Sequence, residues 1–400
     1  MNPKKCILFI GEAVSLAHVA RPLVLAQSLD PQQYDIHFAC DARYQSLISA
    51  SPHIHYWPIR SIPSETFVKA ADRGGFVLQK KDIESYVSQE LALFRKVLPS
   101  LVISDFRHTV SISAELSHIT YATLANIHWS PYRIMEFNPV PKLPMRSIET
   151  RILDKLMPWK QQSATASFNS IREKYGLGLL KNYCDLATRG DYTLYTEPPG
   201  FIQTMPMPNH HLFLGPILWS PDSPKPSWWQ TWNPKLPLIY VTLGSTGVAK
   251  RLLEIVRVLR EFPVTIVVAT AGRAQLKNMP QNVYAADYLP GMEICRLASV
   301  VVCNGGSATA YQALSQGTPV VGIWSNIDQY LTMMTIERAG AGLCSSASSD
   351  DTQKIQDSIS TVLQDSRYRA RAAELAERFR LYDACQHFQQ FIHDIPALAG

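Results

Sequence analysis

Two glycine-bearing turns in the second half of the chain have residue types that suit phosphate binding. Both Gly244–Gly247 and Asn304–Thr309 lie between an apolar run and a segment with helical character. The N-terminus of a helix presents unpaired N–H groups and a positive dipole end, glycines allow close approach, and hydroxyls donate further hydrogen bonds. We therefore predict phosphate binding by Gly244, Ser245, Asn304, Gly305, Gly306, Ser307, Ala308 and Thr309.

Either turn alone would be a weak signal. A strand-to-helix turn with a Ser or Thr cap is common in α/β proteins and needs no ligand. Two such turns in one domain favour the phosphate interpretation. Cys303 lies directly before the second turn. A thiol at the end of a buried strand is expected to be unreactive.

A histidine and an aspartate in the first half could move a proton. His18 follows the first apolar run, and Asp105 closes the run Leu101–Asp105. In a parallel sheet both would lie at the edge where ligands bind. A histidine can accept a proton from a hydroxyl near neutral pH, and a carboxylate behind it fixes its tautomer. The alternative is that His18 only begins a helix and Asp105 caps the next one, while Arg107 nearby is expected at a solvated surface.

Strand-like and helix-like segments alternate along both halves, which predicts two α/β domains with parallel sheets. In the first half the predicted strands are Cys6–Gly11, Tyr34–Cys40, His53–Ile59, Leu101–Asp105, Ile119–Ile127, Asp191–Tyr195 and His211–Gly215. In the second half they are Leu238–Gly244, Thr265–Thr270, Val283–Leu289, Val300–Cys303 and Pro319–Trp324. The Pro- and Trp-rich segment 216–237 is predicted to link a domain 1–215 to a domain 238–375.

Composition excludes several classes of protein. The chain has 400 residues, 46% hydrophobic and 18% charged, which is enough to form two buried cores. A net charge of +5 is too small and too diffuse for a nucleic-acid binder. The seven cysteines form no C-x-x-C pair, so a reducing cytoplasm is the expected setting. Neither a metal-binding spacing nor a D-x-D motif occurs, so no metal is expected.

Residues 301–329 read VVCNGGSATAYQALSQGTPVVGIWSNIDQ. This stretch resembles the nucleotide-sugar-dependent glycosyltransferases that include the plant and macrolide enzymes. The resemblance implies an α/β GT-B fold, in which two Rossmann-like domains face each other across a cleft. It also implies that a C-terminal helix, predicted here in 376–400, returns to the first domain.

The resemblance also implies roles for individual residues. Asp328 and Gln329 match the pair that binds the donor sugar, and His18 and Asp105 match the general base and its supporting acid. Tyr288, Leu289 and Gln312 match the positions that contact the nucleoside. The sequence departs from the family at some of these positions: Asn304 replaces a histidine, Gln312 a glutamate and Gly291 a glutamine, and one extra residue separates His18 from Pro22. These departures leave the base and the sugar of the donor open.

The combined prediction is an inverting, metal-independent transferase. It would use an NDP-sugar, expected to be a UDP-sugar, as co-substrate and no other cofactor. A loosely patterned aromatic segment containing Trp129, Tyr132 and Phe137 is predicted to line the site of a lipophilic acceptor. Three alternatives stay open: a lipid acceptor at a membrane surface with weak peripheral contact, a nucleotide-sugar 2-epimerase, and an inactive donor-binding module.

Overall fold

The computed structural model describes residues 4–72, 78–134, 165–229, 231–244, 249–260, 262–276, 279–347 and 352–398. The chain divides into two compact units. The first unit comprises Met1–Ile217 together with Tyr382–Gly400, and the second comprises Leu218–Leu381. Each unit contains one parallel β-sheet with helices.

The strands of the first unit are β1 (Lys5–Gly11), β2 (Tyr34–Cys40), β3 (Ile54–Pro58), β4 (Leu101–Asp105), β5 (Thr120–Ala125), β6 (Tyr192–Tyr195) and β7 (His211–Phe213). They pair in the order β3-β2-β1-β4-β5-β6-β7, and every pair is parallel. Its helices include α1 (Ala17–Gln27), α2 (Gln45–Ser49), α3 (Ser64–Asp72), α4 (Lys80–Val97), α5 (Val110–Ser117), α6 (Ala166–Lys174) and α7 (Tyr183–Ala187).

The central strands of this sheet are apolar because helices cover both of its faces. Ile7 and Phe9 face one core cluster, and Leu8 and Ile10 face another. Such a strand reads as a continuous apolar run rather than an alternating one. β4 follows the same rule up to Ile103 and ends in two buried polar residues, Ser104 and Asp105, of which Asp105 is 1% exposed.

The strands of the second unit are β8 (Leu238–Thr242), β9 (Thr265–Ala269), β10 (Val283–Ala286), β11 (Val300–Cys303), β12 (Val320–Trp324) and β13 (Gly342–Ser346). They form a parallel sheet in the order β10-β9-β8-β11-β12-β13. Its helices include α8 (Ala249–Leu259), α9 (Gly291–Leu297), α10 (Ser307–Ser315), α11 (Ile327–Arg338), α12 (Thr352–Gln364) and α13 (Ser366–Arg380).

The last helix, α14 (Ala384–Asp394), belongs to the first unit. Its Phe388 ring lies 5.9 Å from that of Phe9, and its Phe391 ring lies 5.2 Å from that of Tyr192. Asp383 caps the helix by accepting a hydrogen bond from the backbone N–H of Gln386. Burial of these aromatic rings attaches the end of the chain to the first sheet.

The predicted α/β organisation is confirmed, with differences at the ends of the elements. The strand predicted up to Leu289 ends at Ala286, and β13 was not predicted. β13 is a half-buried edge strand of mixed composition, so its apolar signal is weak. Among the described helices, none combines the length and apolar character needed to cross a membrane.

Candidate functional site

His18 and Asp105 meet where the strand order of the first sheet reverses, between β1 and β4. Gly11 at the end of β1 is in register with Asp105 at the end of β4. The N–H of Glu12 donates to the Asp105 carbonyl at 3.2 Å. His18 lies in the first turn of α1, which follows β1. The crevice beyond the carboxyl ends of strands at such a point is the usual ligand site of open α/β sheets.

The two side chains are hydrogen-bonded. Nδ1 of His18 lies 2.9 Å from Oδ1 of Asp105. A carboxylate only accepts, so this contact requires a proton on Nδ1, and in the neutral ring Nε2 then carries the lone pair. The described residues offer Nε2 no hydrogen-bond partner. The imidazole is 17% exposed, so a ligand can reach it.

Phe106 covers one face of the His18 ring. Its ring stacks on His18 with centroids 4.3 Å apart. The Phe106 backbone has a φ of 61°, which is uncommon for a residue with a side chain. Strained backbone of this kind concentrates at functional sites. Phe106 follows Asp105 directly, so the same tight turn positions both partners of the histidine.

Sequence reasoning missed Arg21, the third member of this group. Its guanidinium donates from Nε to Oδ2 of Asp105 at 2.7 Å and from Nη2 to Oδ1 at 2.8 Å. Nη2 also lies 3.2 Å from Nδ1 of His18. Burial opposes ionisation of Asp105, but the charges and hydrogen bonds of Arg21 and His18 outweigh it and hold the pKa of Asp105 below its ordinary value. The signal in the sequence that could have indicated Arg21 was the extra residue between His18 and Pro22.

The prediction that Arg107 lies at a solvated surface is wrong. Its side chain is fully buried and donates to Glu90 at 2.7 Å and to Glu12 at 2.9 Å. The guanidinium carbon also lies 3.5 Å from the centre of the Tyr86 ring. Two carboxylates around one cation compensate the cost of burying it. This cluster orders the segment that follows β1, which leads to His18.

Aromatic side chains extend from His18 to Trp129. Phe106 lies 4.9 Å from His108, whose Nε2 is 3.1 Å from the hydroxyl of Tyr183. The Tyr183 ring lies 4.6 Å from that of Trp129. Burial and the neighbouring His18 lower the pKa of His108 to about 3, so His108 stays neutral. This run gives the neighbourhood of His18 an apolar character.

The predicted acceptor residues differ in their surroundings. Trp129 is 8% exposed and packs against Tyr183. Tyr132 is half-buried, and its ring lies 5.0 Å from that of His211. Phe137 lies outside the described residues. The acceptor roles stay predictions.

The glycine turns of the second unit occupy the equivalent reversal, between β8 and β11. Cys303 at the end of β11 is in register with Thr242 at the end of β8. The Asn304 amide nitrogen lies 3.9 Å from where a Cβ on Gly244 would be. The structure therefore places Gly244, the described residue of the first predicted turn, beside the second turn. Ser245 lies outside the described residues.

The second turn requires glycine by its geometry. Gly305 has a φ of +79°, and a Cβ there would lie 2.7 Å from Cγ of Met333. Gly306 donates its N–H to Oδ1 of Asn304 at 3.1 Å, which closes the turn. Gly306 caps α10 without a side chain, so it leaves the first-turn N–H groups of Ser307, Ala308 and Thr309 without a side-chain cap. Such uncapped groups suit an anion.

Asp328 and Gln329 lie in the first turn of α11, at the end of β12. Asn326 caps this helix by accepting from the N–H of Gln329 at 3.2 Å. The Gln329 side chain is buried, and its Oε1 accepts from the N–H of Ser325 at 2.8 Å. Asp328 is half-buried. Gln329 thus orders its own turn, and Asp328 is the more accessible of the two.

The predicted nucleoside residues lie on two elements of the second unit. Tyr288 is 52% exposed, which leaves its ring open to stacking. Leu289 is buried, so its peptide groups rather than its side chain could contact a base. Gln312 on α10 donates its amide to the carbonyl of Trp219, and its Oε1 lies 2.8 Å from where a Cβ on Gly291 would be. This internal partner competes with a ribose for Gln312.

One group of described side chains, away from the sites above, has the spacing of metal ligands: Cys6, Asp35 and His37. The indole N–H of Trp57 donates to Nδ1 of His37 at 2.8 Å. Nε2 of His37 therefore carries the proton and donates to Asp35 at 3.1 Å. A protonated nitrogen cannot bind a metal, so we interpret this group as a hydrogen-bonded network. Burial raises the pKa of the Cys303 thiol to about 12, as expected for an unreactive cysteine.

Comparison with known families matches residues 251–382 to the family described as erythromycin biosynthesis protein CIII-like, C-terminal domain. The chain is 41% identical over 382 residues to the PGL/p-HBAD biosynthesis rhamnosyltransferase of Mycobacterium bovis (strain BCG / Pasteur 1173P2), covering 94% of this chain and 84% of that protein. It is 41% identical over 380 residues to a PGL/p-HBAD biosynthesis glycosyltransferase of Mycobacterium tuberculosis (strain ATCC 25177 / H37Ra), covering 93% and 88%. An inactive PGL/p-HBAD biosynthesis glycosyltransferase of the same M. bovis strain is 39% identical over 256 residues, covering 62% and 69%.

Solved structures match the whole fold. The spinosyn rhamnosyltransferase SpnG superposes with a TM-score of 0.70 at 18% identity, covering 97% of this chain and 100% of that one. At this identity the likeness concerns the fold, which is GT-B. SpnG has also been solved with thymidine diphosphate and with the spinosyn aglycone.

Proposed function

The chain belongs to the PGL/p-HBAD biosynthesis glycosyltransferase family, and from this premise we propose that it is an inverting, metal-independent enzyme that moves a sugar from an NDP-sugar to a hydroxyl of a lipophilic small molecule. The observation that carries the proposal is the hydrogen bond between His18 and Asp105 at the strand reversal of the first unit. The predicted resemblance to nucleotide-sugar-dependent glycosyltransferases is confirmed, and sugar transfer is the activity of the family.

In this proposal His18 is the general base. Its Nε2 takes the proton of the acceptor hydroxyl, and the oxygen attacks the anomeric carbon from the face opposite the diphosphate. Asp105 accepts the hydrogen bond from Nδ1 and stabilises the imidazolium that forms. The bond from the anomeric carbon to the diphosphate oxygen breaks, and the nucleoside diphosphate leaves with the electron pair. Attack from the opposite face inverts the anomeric configuration.

In the second unit, the leaving diphosphate would bind at the start of α10 and at the neighbouring Gly244 turn. Uncapped N–H groups and the helix dipole stabilise negative charge that develops on the phosphate oxygens. Main-chain donors can do this without a metal ion. Asp328, at the accessible end of β12, would bind hydroxyls of the donor sugar. No cofactor beyond the NDP-sugar is required.

The acceptor would bind near the aromatic run from Phe106 to Trp129. The half-buried Phe106 ring beside His18, with buried aromatic side chains behind it, favours a lipophilic molecule with one hydroxyl directed at His18. The names of the relatives point to an acceptor of the PGL/p-HBAD type, and one of them names rhamnose as the sugar. UDP and TDP both remain candidate nucleotides, and a reducing cytoplasm remains the proposed setting.

The test combines product analysis with donor binding. The protein is incubated with UDP- and TDP-sugars, rhamnose included, and with phenolic, macrolide and lipid acceptors, and products are identified by mass and anomeric NMR coupling. We expect acceptor-plus-sugar masses with inverted configuration and full activity in EDTA. Transfer should fall about a thousandfold in His18→Ala, because a general base contributes about that much. His393→Ala, an exposed histidine on α14, is the matched control.

Other outcomes contradict the proposal in distinct ways. Epimerised donor without an acceptor product would indicate an epimerase. If calorimetry shows nucleotide binding but no acceptor gives a product, the protein would be an inactive donor-binding protein. One of the relatives is named as inactive. Retained configuration at the anomeric carbon would exclude the inverting mechanism. Transfer that occurs only in the presence of vesicles would indicate that the acceptor lies at a membrane surface.

A further inference from the structure

Arg21 occupies an unusual place in the sequence. It lies between His18 and Pro22, whose spacing is one residue longer than in the family pattern. In α1, residues three apart lie on the same face, so Arg21 is directed to the side of the helix that carries His18. Its side chain is 7% exposed. A buried arginine next to a catalytic pair must be paired, and its partner is Asp105.

The guanidinium holds Asp105 in a fork. Nε and Nη2 donate to the two carboxylate oxygens at 2.7 and 2.8 Å. Nη1 donates to Oδ1 of Asn126 at 3.0 Å, and Asn126 in turn donates to Oε1 of Glu197 at 2.6 Å. Bidentate pairs of this kind fix orientation as well as charge. Both carboxylate oxygens of Asp105 are therefore held by the arginine, and one of them also accepts from His18.

The fork also decides how the histidine can be protonated. Oδ1 of Asp105 accepts from Nη2 of Arg21 and from Nδ1 of His18. With Oδ2 fixed by Nε, the carboxylate cannot rotate away from Nδ1. Nη2, 3.2 Å from Nδ1, adds a positive charge beside the ring. The arginine thus holds the Nδ1–H tautomer that a base requires. Its own positive charge also disfavours protonation of the imidazole to the cation.

We propose that Arg21 is a positioning residue that fixes the Asp105 carboxylate and balances its charge, so that His18 is a neutral base with its lone pair on Nε2. The proposal rests on the function proposed above. Without Arg21, Asp105 would face His18 as an uncompensated anion and would favour the imidazolium, which cannot accept a proton.

The charged and titratable groups around His18 come from several elements. Asp105 from β4 and Arg21 from α1 are in direct contact with it. His108, which follows β4, is neutral. Beyond them lie the buried Glu12–Arg107 pair and Glu197. Of these groups, Arg21 is the cation in contact with the ring, so its removal should be visible in the pH dependence.

Two substitutions separate charge from geometry. Arg21→Met removes the cation, and we expect the acid limb of the kcat profile to move up by about one pH unit. Arg21→Lys keeps the charge but loses the fork, so kcat should fall by about tenfold to a hundredfold with the limb unmoved. The KM for the NDP-sugar should not change in either variant. Arg172→Met removes a buried arginine whose partner, Glu115 of α5, is exposed, and it is the control for losing a buried cation.

A second readout does not depend on activity. In histidine-labelled protein, the His18 ring signal is identified by its loss in His18→Ala and followed by NMR. Its titration midpoint should rise by about one pH unit in Arg21→Met and stay in place in Arg21→Lys. If Arg21→Met does not fold, Arg21→Gln and Arg21→Lys provide the same contrast.

The outcomes distinguish this proposal from the proposed function. If His18→Ala keeps full transfer, the function proposed for His18 fails. If His18→Ala is inactive while every Arg21 variant keeps the wild-type pH limb and the wild-type His18 midpoint, the role of Arg21 is overturned. A fall in kcat in the Arg172→Met control as large as in Arg21→Lys would also overturn it.

Discussion

The two units place different chemistry at the same point of the same topology. In each sheet the strand order reverses beside the first strand of the unit, between β1 and β4 in one and between β8 and β11 in the other. The first reversal is occupied by ionisable side chains, those of His18, Asp105 and Arg21. The second is occupied by Gly244, by the Gly305–Gly306 turn and by the first-turn N–H groups of α10, which lack a side-chain cap.

This difference follows from what each site would have to do. Moving a proton requires a titratable group whose tautomer is fixed, and only side chains supply one. Binding a diphosphate requires several donors at close range, and a helix N-terminus supplies them without a side chain. The fold thus provides two equivalent crevices, and the residues after the strands decide which chemistry each one supports.

The substitution expected to separate the functions of the two crevices most strongly is Asp105→Asn. If the first crevice acts only through side chains, transfer should fall about a thousandfold because the amide no longer fixes the histidine tautomer. Nucleotide affinity, which we assign to the second unit in the proposed function, should not change. Kinetics and calorimetry on the same preparation test both statements. A comparable loss of nucleotide binding would show that the two crevices are not separable.

The converse substitution is Gly305→Ala. A Cβ there meets Met333 and the backbone has a positive φ, so we expect about tenfold weaker binding of the nucleoside diphosphate and about 1–2 kcal/mol lower stability. Gly176→Ala is the matched control, since Gly176 has a φ of +69° but open space around it. Calorimetry with UDP and TDP measures the affinity. Unchanged affinity in Gly305→Ala would argue against a phosphate role for this turn.

The stability of the first unit should depend on pH through His108. Its pKa is lowered to about 3 in the folded protein, whereas an unfolded histidine titrates near 6.5. Between these values the unfolded chain binds the extra proton, so stability is present above about pH 6.5 and falls by about 1.4 kcal/mol per pH unit as the pH decreases. Urea unfolding at several pH values should show a smaller slope in His108→Asn. Equal slopes would contradict the burial argument.

The smallest expected effect concerns Asp328→Ala. A carboxylate at the end of β12 should select among donor sugars, so relative rates with different NDP-sugars should change by about tenfold. Affinity for the nucleoside diphosphate alone should change less, because the phosphate donors are main-chain groups. Asp365→Ala, a half-buried aspartate that caps α13, is a control. An unchanged sugar preference would remove Asp328 from the donor site.

Much of this arrangement was accessible from local sequence. Apolar runs such as Ile7–Ile10 and Val300–Val302 predicted buried parallel strands, and the turns after them carry the candidate residues. His18 and Asp105 were paired from their positions after two strands, and the structure places them 2.9 Å apart. Elements with a weak apolar pattern were not predicted. One example is β13, an edge strand without an apolar run.

The sequence by itself determined which residue types stand at the carboxyl ends of the strands, because strand and helix periodicities are local. Only the tertiary structure decided their partners. Arg21 and Asp105 are 84 residues apart, and Arg107 and Glu12 are 95 apart. Whether such ions are solvated or paired depends on strand register and on the rotation of α1 about its axis. Burial then makes the pairing obligatory, since an unpaired charge inside the protein is too costly to persist.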